Sequence, residues 1–158
     1  MNLSELQPPV PGLRQFSRAT VQVAAPQLFG ITLLGERRVV QILGGRLEGK
    51  LSGEVLPGGA DWQIITASGV AQLEARYTIR TTEGALILVQ NRGIRHAPPP
   101  VLEQLYAGEL VDPANYYFRS TPTFETGENS HAWLNKIVAV CSGARTPTEV
   151  LLDFYEVL

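Results

Sequence analysis

The sequence predicts an all-β protein, made mainly of antiparallel strands in one barrel or sandwich. Short segments of alternating or β-branched residues recur along the 158 residues. The 15 glycines and 11 prolines of the chain separate many of these segments. Helical spacing of apolar residues occurs in one short stretch only, which argues against a helical or α/β fold.

Each strand is predicted from its residue pattern. Segment 70–81 alternates strictly between apolar and polar residues, and a tight turn at Glu83-Gly84 returns the chain as a second strand. Gly44-Gly45 indicates a bulge or sharp bend after a β-branched strand. About nine or ten strands fit the chain. Those identified span residues 16–23, 37–43, 49–55, 62–66, 70–81, 85–90, 116–123, 135–142 and 149–157.

One or two short helices interrupt the strands. After Pro98-Pro99-Pro100, apolar residues at positions 101, 102, 105 and 106 follow helical spacing, and Gly108 is placed to end that helix. Asp112 could cap a further turn at Pro113.

Composition bounds the possible functions. The length indicates one domain at 13–158, preceded by an extended proline-rich arm at 1–12. The formal net charge is −2 and the basic residues are scattered, which argues against nucleic acid or an anionic membrane as a partner. Neither a leader peptide nor a membrane-spanning apolar run is recognisable, so we expect a cytoplasmic protein. Cys141 lies in an apolar run and is expected to be a core residue.

The stretch Leu56-Pro57-Gly58-Gly59-Ala60-Asp61-Trp62 is the strongest local sign of a site. Pro-Gly-Gly permits a chain reversal, and a carboxylate and an indole follow it directly. We expect this stretch to be a turn at the rim of a site.

Two polar groups on other strands could belong to the same site. Glu74 and Arg76 share one face of their strand, as do Tyr117 and Arg119. Glu74 and Arg76 are either a surface pair in water or part of a barrel lumen that holds a polar ligand. Tyr117 and Arg119 could hold a carboxylate or an enolate, or the arginine could cover an aromatic surface. His96 and His131 have no partners at metal-ligand spacing, and no nucleotide fingerprint is present. We therefore expect neither a metal nor a cofactor.

A series of short motifs is spread over residues 15–158. They are Gly44-Gly45, Gly49, Gly53, Leu56 to Trp62, Tyr77-Thr78-Ile79, Glu83-Gly84-Ala85 with Ile87, Asn91-Arg92-Gly93, Tyr117-Phe118-Arg119, Phe124-Glu125-Thr126 and Trp133-Leu134-Asn135. In these motifs the chain resembles a bacterial and fungal family, the domain of unknown function 3237, also called UPF 0311. Glu74 is a departure from that family, since an Asp is expected there.

This resemblance implies a compact antiparallel β-barrel, similar to lipocalin-like barrels, in a small homodimer-forming bacterial protein. It implies no reaction. It does group polar and aromatic residues from several strands, which in a closed barrel can converge on one lumen. The candidate site residues are Asp61, Trp62, Glu74, Arg76, Asn91, Tyr117, Arg119, Trp133 and Asn135.

Three functions remain open at this stage. The first is binding of a small anionic or carbonyl-bearing organic molecule, with Arg76 and Arg119 on its charge and aromatic residues on its body. The second is a cofactor-free isomerase, cyclase or lyase, in which Asp61 or Glu74 is the general base. The third is a structural or interaction role, in which the polar residues form salt bridges and the barrel is filled.

Overall fold

Ten strands form the wall of the molecule in the computed structural model, which describes residues 1–158. Every pairing between them is antiparallel. The strands are β1 (Leu13–Val23), β2 (Gln27–Thr32), β3 (Gly35–Gly49), β4 (Gly53–Val55), β5 (Ala60–Ile65), β6 (Ala71–Thr81), β7 (Leu86–His96), β8 (Tyr117–Glu125), β9 (Val138–Arg145) and β10 (Glu149–Val157).

The wall closes on itself because β1 pairs with β10 on one side and with β3 on the other. Eight strands make the closed barrel, and β2 and β5 complete the ten. This confirms the predicted all-β barrel. The strand predicted at 49–55 is wrong in part, because β3 continues to Gly49 and residues 50–52 turn the chain into β4. The strand that the sequence pattern did not reveal is β2, whose six residues are all exposed. A strand without a buried face has no alternation to detect.

The Pro-Gly-Gly stretch does not reverse the chain, which corrects the turn predicted there. Both β4 and β5 run antiparallel to β3 and to β6, so they are two pieces of one wall strand. Residues 56–59 bulge between the two pieces. Pairing continues through the bulge, where the Leu56 amide donates to the Thr78 carbonyl and the Ile42 amide to the Gly59 carbonyl, each at 2.9 Å. The stretch therefore shifts register within a wall strand.

A second bulge, at the predicted Gly44-Gly45 position, lies in β3. The pairing of β1 with β3 shifts register where Gln22 faces Gly44 and Val23 faces Ile42. Ile42 and Leu47 are both buried although four residues lie between them, which in a regular strand would put them on opposite faces. The alternation therefore slips between them. The slip keeps both halves of this long strand facing the core.

Along β6, buried side chains that face the inside of the barrel alternate with exposed side chains on its outside. Leu73, Tyr77 and Ile79 are buried, whereas Arg76 and Arg80 are exposed. One end of the interior is filled by an aromatic plug of Phe16, Phe124, Trp133 and Phe154. The Phe16 ring lies 5.3 Å from Trp133 and 5.9 Å from Phe154, centroid to centroid. Such edge-on and tilted contacts are the preferred geometries for aromatic rings.

The helical segments lie at the ends of the barrel. A 3₁₀ segment, Asn129–Lys136, brings Trp133 and Leu134 onto the plug. The predicted helix is α1 (Pro99–Tyr106). Just after its end lies Gly108, which has a φ of 82° and whose amide donates a hydrogen bond to the Leu105 carbonyl. Asp112 accepts the Ala114 amide at the start of a short 3₁₀ turn, as predicted. No helix is long and apolar enough to cross a membrane.

Candidate functional site

The half of the barrel that faces away from the plug contains a cavity of about 70 Å³, called the inner chamber. Its walls are mostly aliphatic, with Val21, Val40, Leu73 and Leu152 among them. Six polar side chains interrupt these walls. They are Asp61, Gln63, Tyr77, Asn91, Arg95 and Ser120, from strands β5, β6, β7 and β8.

Four of these six residues carry a buried polar atom that makes no hydrogen bond within the protein. The atoms are the Tyr77 hydroxyl, Asn91 Oδ1, Arg95 Nε and the Ser120 hydroxyl. The four residues are only 4%, 4%, 4% and 6% exposed, respectively. A buried polar atom without a partner costs about 1–3 kcal/mol. All the unpartnered buried side-chain atoms of this protein lie on one chamber, and this concentration marks it as a site rather than as ordinary core.

Asp61 presents its carboxylate to the inner chamber from the start of β5. Its Oδ2 accepts a 2.8 Å hydrogen bond from the Gln63 side-chain amide, and its Oδ1 accepts a 2.9 Å hydrogen bond from the Glu74 backbone amide. No arginine or lysine forms a salt bridge with it. Burial raises the pKa of Asp61 above its ordinary value, and the two hydrogen bonds oppose that rise only in part.

An outer chamber of about 410 Å³ joins the inner one at the open end of the barrel. The two share Val23, Val40, Gln63, Arg95 and Val150 in their walls, so they lie directly next to each other. The outer chamber is bounded by Leu105 and Tyr106 of α1 and by the loop around Pro147. A ligand would enter the barrel here, because the other end is filled by the plug.

Three arginines, Arg38, Arg95 and Arg145, line the outer chamber. Arg38 is balanced by Glu36 at 2.9 Å, and its guanidinium lies over the Tyr106 ring at 4.7 Å. Arg95 and Arg145 have no carboxylate partner within salt-bridge distance. Burial lowers the pKa of both, and for Arg145 the charge of Arg95 lowers it further. The mouth of the barrel is thus a partly desolvated region of positive charge.

The structure brings Asp61 and Asn91 together in the inner chamber, among the residues predicted from sequence. Asp61 faces Ala75 across one strand boundary, and Ala75 faces Asn91 across the next. Both acceptor groups therefore lie on one level of the barrel, on either side of β6.

The remaining predicted residues lie elsewhere, which corrects the expectation that they share one lumen. Trp62, Glu74 and Arg76 lie on the outer surface, because they alternate with the inward residues of β5 and β6. Glu74 pairs there with Arg92 at 3.1 Å.

Tyr117 and Arg119 lie on the outer surface of β8, where the Arg119 guanidinium donates to the Phe118 carbonyl. Trp133 belongs to the plug, and its ring lies 3.9 Å from the Lys50 ammonium. Asn135 is exposed in the 3₁₀ segment beside it.

Several residues of the two chambers were not among the predicted ones, notably Gln63, Tyr77 and Arg95. Arg95 could have been predicted as an inward residue if the strand pattern had been followed beyond residue 90. Continued alternation from Val89 places Asn91, Gly93 and Arg95 on the inner face. The predicted strand ended at residue 90 because the apolar residues stop there.

The fold defines a class of protein, the small closed antiparallel barrel. This barrel is filled at one end and has a polar chamber with an arginine-lined mouth at the other. The family model described as "Protein of unknown function (DUF3237)" matches residues 11–157. The chain therefore belongs to the DUF3237 family. A UPF0311 protein of Clostridium acetobutylicum is 42% identical over 140 residues, which are 87% of this chain and 89% of that protein.

Solved structures share the barrel. A crystal structure of a conserved protein of unknown function from Rhodopseudomonas palustris has a TM-score of 0.90 and 39% identity, over 96% of this chain and 100% of that one. A β-barrel-like protein from Acinetobacter baumannii has a TM-score of 0.85 and 41% identity, over 98% and 100% of the two chains. An enzyme from Penicillium herquei shares the fold at a TM-score of 0.72 and 20% identity, over 97% and 98%.

Proposed function

We propose that the barrel binds a small organic anion that carries a carbonyl or another oxygen group on its body. The observation that carries this proposal is the set of four buried, unpartnered polar atoms on the inner chamber. They include hydrogen-bond donors and acceptors, and a ligand with oxygen atoms on a compact body can pair with them. A barrel whose role is only structural gains nothing from leaving these atoms unpaired.

The charge at the mouth favours an anion. Arg95 and Arg145 are withdrawn from bulk water without a carboxylate partner. A carboxylate or phosphate that reaches them forms charge-assisted hydrogen bonds in a region of low dielectric, where such bonds are strong. A cationic ligand would add repulsion to three arginines. The charged group of the ligand is therefore expected near Arg95, where the two chambers meet.

The size of the two chambers orients the ligand. The inner chamber is several times smaller than the outer one and has mostly aliphatic walls, so it suits a ring or a short chain. The outer chamber is wide enough for the anionic group and its remaining water. The ligand thus places its body toward Tyr77 and Asn91 and its charge toward α1.

The experiment compares anions with an isosteric cation. Benzoate, 3-phenylpropionate and phenylpyruvate are tested against phenethylamine by thermal unfolding and by calorimetry. At an anion concentration of about 100 times Kd, binding contributes about 2.7 kcal/mol. For a chain of this size, that contribution raises Tm by roughly 5–10 °C. Phenethylamine should leave Tm unchanged.

Matched arginine variants locate the binding site. Arg95→Gln removes the charge at the junction of the chambers, whereas Arg119→Gln removes one from the outer surface of the same barrel. We expect Arg95→Gln to abolish the anion-dependent rise in Tm and Arg119→Gln to retain it. Equal loss in both variants, or no anion that raises Tm in the wild type, would contradict the proposed function.

A further inference from the structure

We infer that Asp61 is a general base for cofactor-free proton transfer at a carbon next to the ligand's carbonyl group. The inference rests on the proposed function, because it requires a carbonyl-bearing anion in the same two chambers. It goes beyond binding by assigning a reaction class, the interconversion of keto and enol tautomers or of positional isomers. The observations that carry it are the way in which Asp61 is held and the groups that face it.

The Asp61 carboxylate is oriented by its hydrogen bonds and still has free acceptor positions. Gln63 and the Glu74 backbone amide donate one hydrogen bond to each oxygen. A carboxylate can accept about four, so each oxygen retains a lone pair, and the group lines the inner chamber. Neither donor is charged, and no cation neutralises the carboxylate directly. Burial also raises the pKa of Asp61, and a raised pKa makes a carboxylate a stronger base.

A donor for the carbonyl oxygen lies on the neighbouring strand. Tyr77 follows Ala75 by two residues on β6, so its side chain shares the inner face with Ala75, the cross-strand partner of Asp61. The Tyr77 hydroxyl makes no well-formed hydrogen bond in the protein, and the Asn91 side chain lies within reach of it. Burial raises the pKa of Tyr77, so the phenol keeps its proton and can donate it in a hydrogen bond.

Asn91 defines the far side of the same level. Asp61 and Asn91 are separated by the width of two strand pairings, roughly 10 Å between their backbones. Their side chains both reach inward and shorten that gap. A ligand held between them would place a carbon near Asp61 and oxygen atoms near Tyr77 and Asn91, which all line the inner chamber. Aliphatic walls exclude bulk water, which strengthens each of these interactions.

The reaction is balanced without any other reagent. The Asp61 carboxylate takes a proton from the carbon, and the electron pair of that C–H bond forms a carbon–carbon double bond. The carbonyl π electrons move to oxygen, and the resulting enolate oxygen accepts the hydrogen bond from Tyr77. The protonated Asp61 then returns a proton to the same carbon or to a conjugated one. Nothing is oxidised or reduced.

Hydrogen–deuterium exchange tests the inference with a defined probe. Phenylpyruvate carries acidic benzylic protons beside its keto group, and proton NMR in D₂O follows their replacement. 3-Phenylpropionate, which has no keto group, serves as the binding control. We expect the wild-type chain to accelerate exchange at least tenfold over buffer. Asp61→Asn should return exchange to near the buffer rate while Kd for 3-phenylpropionate changes little.

Two further variants separate this role from a structural one. Glu83→Gln removes an exposed carboxylate from the turn between β6 and β7, outside both chambers, so exchange should be unchanged. Tyr77→Phe should slow exchange without abolishing binding. If both acids bind but exchange is not accelerated, or if Asp61→Asn exchanges as fast as the wild type, the inference is wrong and the proposed function stands. If neither acid binds, both are overturned.

Discussion

Gln63 donates a 2.8 Å hydrogen bond to the carboxylate of Asp61, two residues before it on the same inner face of β5. Because side chains two apart on a strand point the same way, this bond needs no contribution from another element. The pair therefore forms wherever β5 forms. It fixes the orientation of the carboxylate without supplying a countercharge.

The Asp61 carboxylate should make stability depend on pH. Burial raises its pKa above the ordinary 3.8, so the folded chain binds this proton more tightly than the unfolded chain. The stability contributed by the group is present below pH 3.8 and is lost as pH rises through the folded-state pKa. Asp61→Asn removes this dependence. Relative to the wild type, the variant should therefore become more stable as pH rises through the folded-state pKa of Asp61.

Urea unfolding of both chains from about pH 4 to about pH 7 measures this difference. A difference that stays constant across the range would show that Asp61 titrates as it does in the unfolded chain.

Replacing Arg95 should separate stability from binding. The residue is buried, and its Nε has no hydrogen-bond partner. Arg95→Met keeps the length of the side chain and removes the desolvated charge, so we expect the unliganded chain to gain about 1 kcal/mol. The same variant should no longer bind benzoate. Chemical unfolding and calorimetry test the two effects independently, and a loss of several kcal/mol would instead assign Arg95 to the framework of the barrel.

The two glycines of the wall-strand bulge should differ in what they tolerate. Gly58 has a φ of 105° but open space at its side-chain position, so Gly58→Ala carries only the conformational cost, about 1 kcal/mol. A Cβ on Gly59 would collide with the Arg76 carbonyl oxygen. Gly59→Ala must therefore displace β6, and it should cost clearly more, about 2–3 kcal/mol. Thermal unfolding of the two variants ranks them, and an equal loss would contradict the bulge geometry.

Cys141 should be inert in the native protein. Its side chain is fully buried, and burial raises the pKa of the thiol to about 12. The thiolate is the reactive form, so an aromatic disulfide reagent should label this residue only after unfolding. Labelling kinetics with and without denaturant provide the measurement. Fast stoichiometric labelling of the native chain would mean that the barrel opens around β9.

The β2 edge should mediate self-association. Leu28, Phe29 and Ile31 are 70%, 60% and 90% exposed on a strand that pairs only with β3. An exposed apolar edge strand is prone to pair with another chain, in line with the expected homodimer. Ile31→Lys should shift the chain toward monomer in light scattering at matched concentrations. If the wild-type chain is already monomeric at high concentration, the predicted self-association through β2 is wrong.

Sequence patterns could predict the strands that have a buried face. They could not predict whether the polar face of a strand points to water or into the barrel. In β6 the alternation of Leu73 and Tyr77 with Glu74 and Arg76 was evident. A polar face can lie in water or in a lumen, and local pattern does not distinguish the two. In the folded barrel Leu73 and Tyr77 pack inward, and this determines which face of β6 is exposed to water. That choice leaves Arg76 outside.

The mouth of the barrel was harder to predict because its inner face is polar. Arg95 and Asn91 occupy positions that hydrophobic residues fill elsewhere in β7, so the pattern that identifies a strand ends where the site begins. Arg145 and Arg38 reach the same region from strands distant in sequence. Only the closure of the barrel brings them together.

The barrel separates its duties along its length. Four interlocking aromatic rings fill the plugged end, whereas at the open end polar side chains interrupt the aliphatic wall, and four of them carry an atom that makes no hydrogen bond to the strands. Substitutions at those polar positions should therefore disturb the fold less than substitutions in the plug. A barrel of this kind can acquire a different ligand through a few substitutions at its mouth, while the aromatic plug stays unchanged.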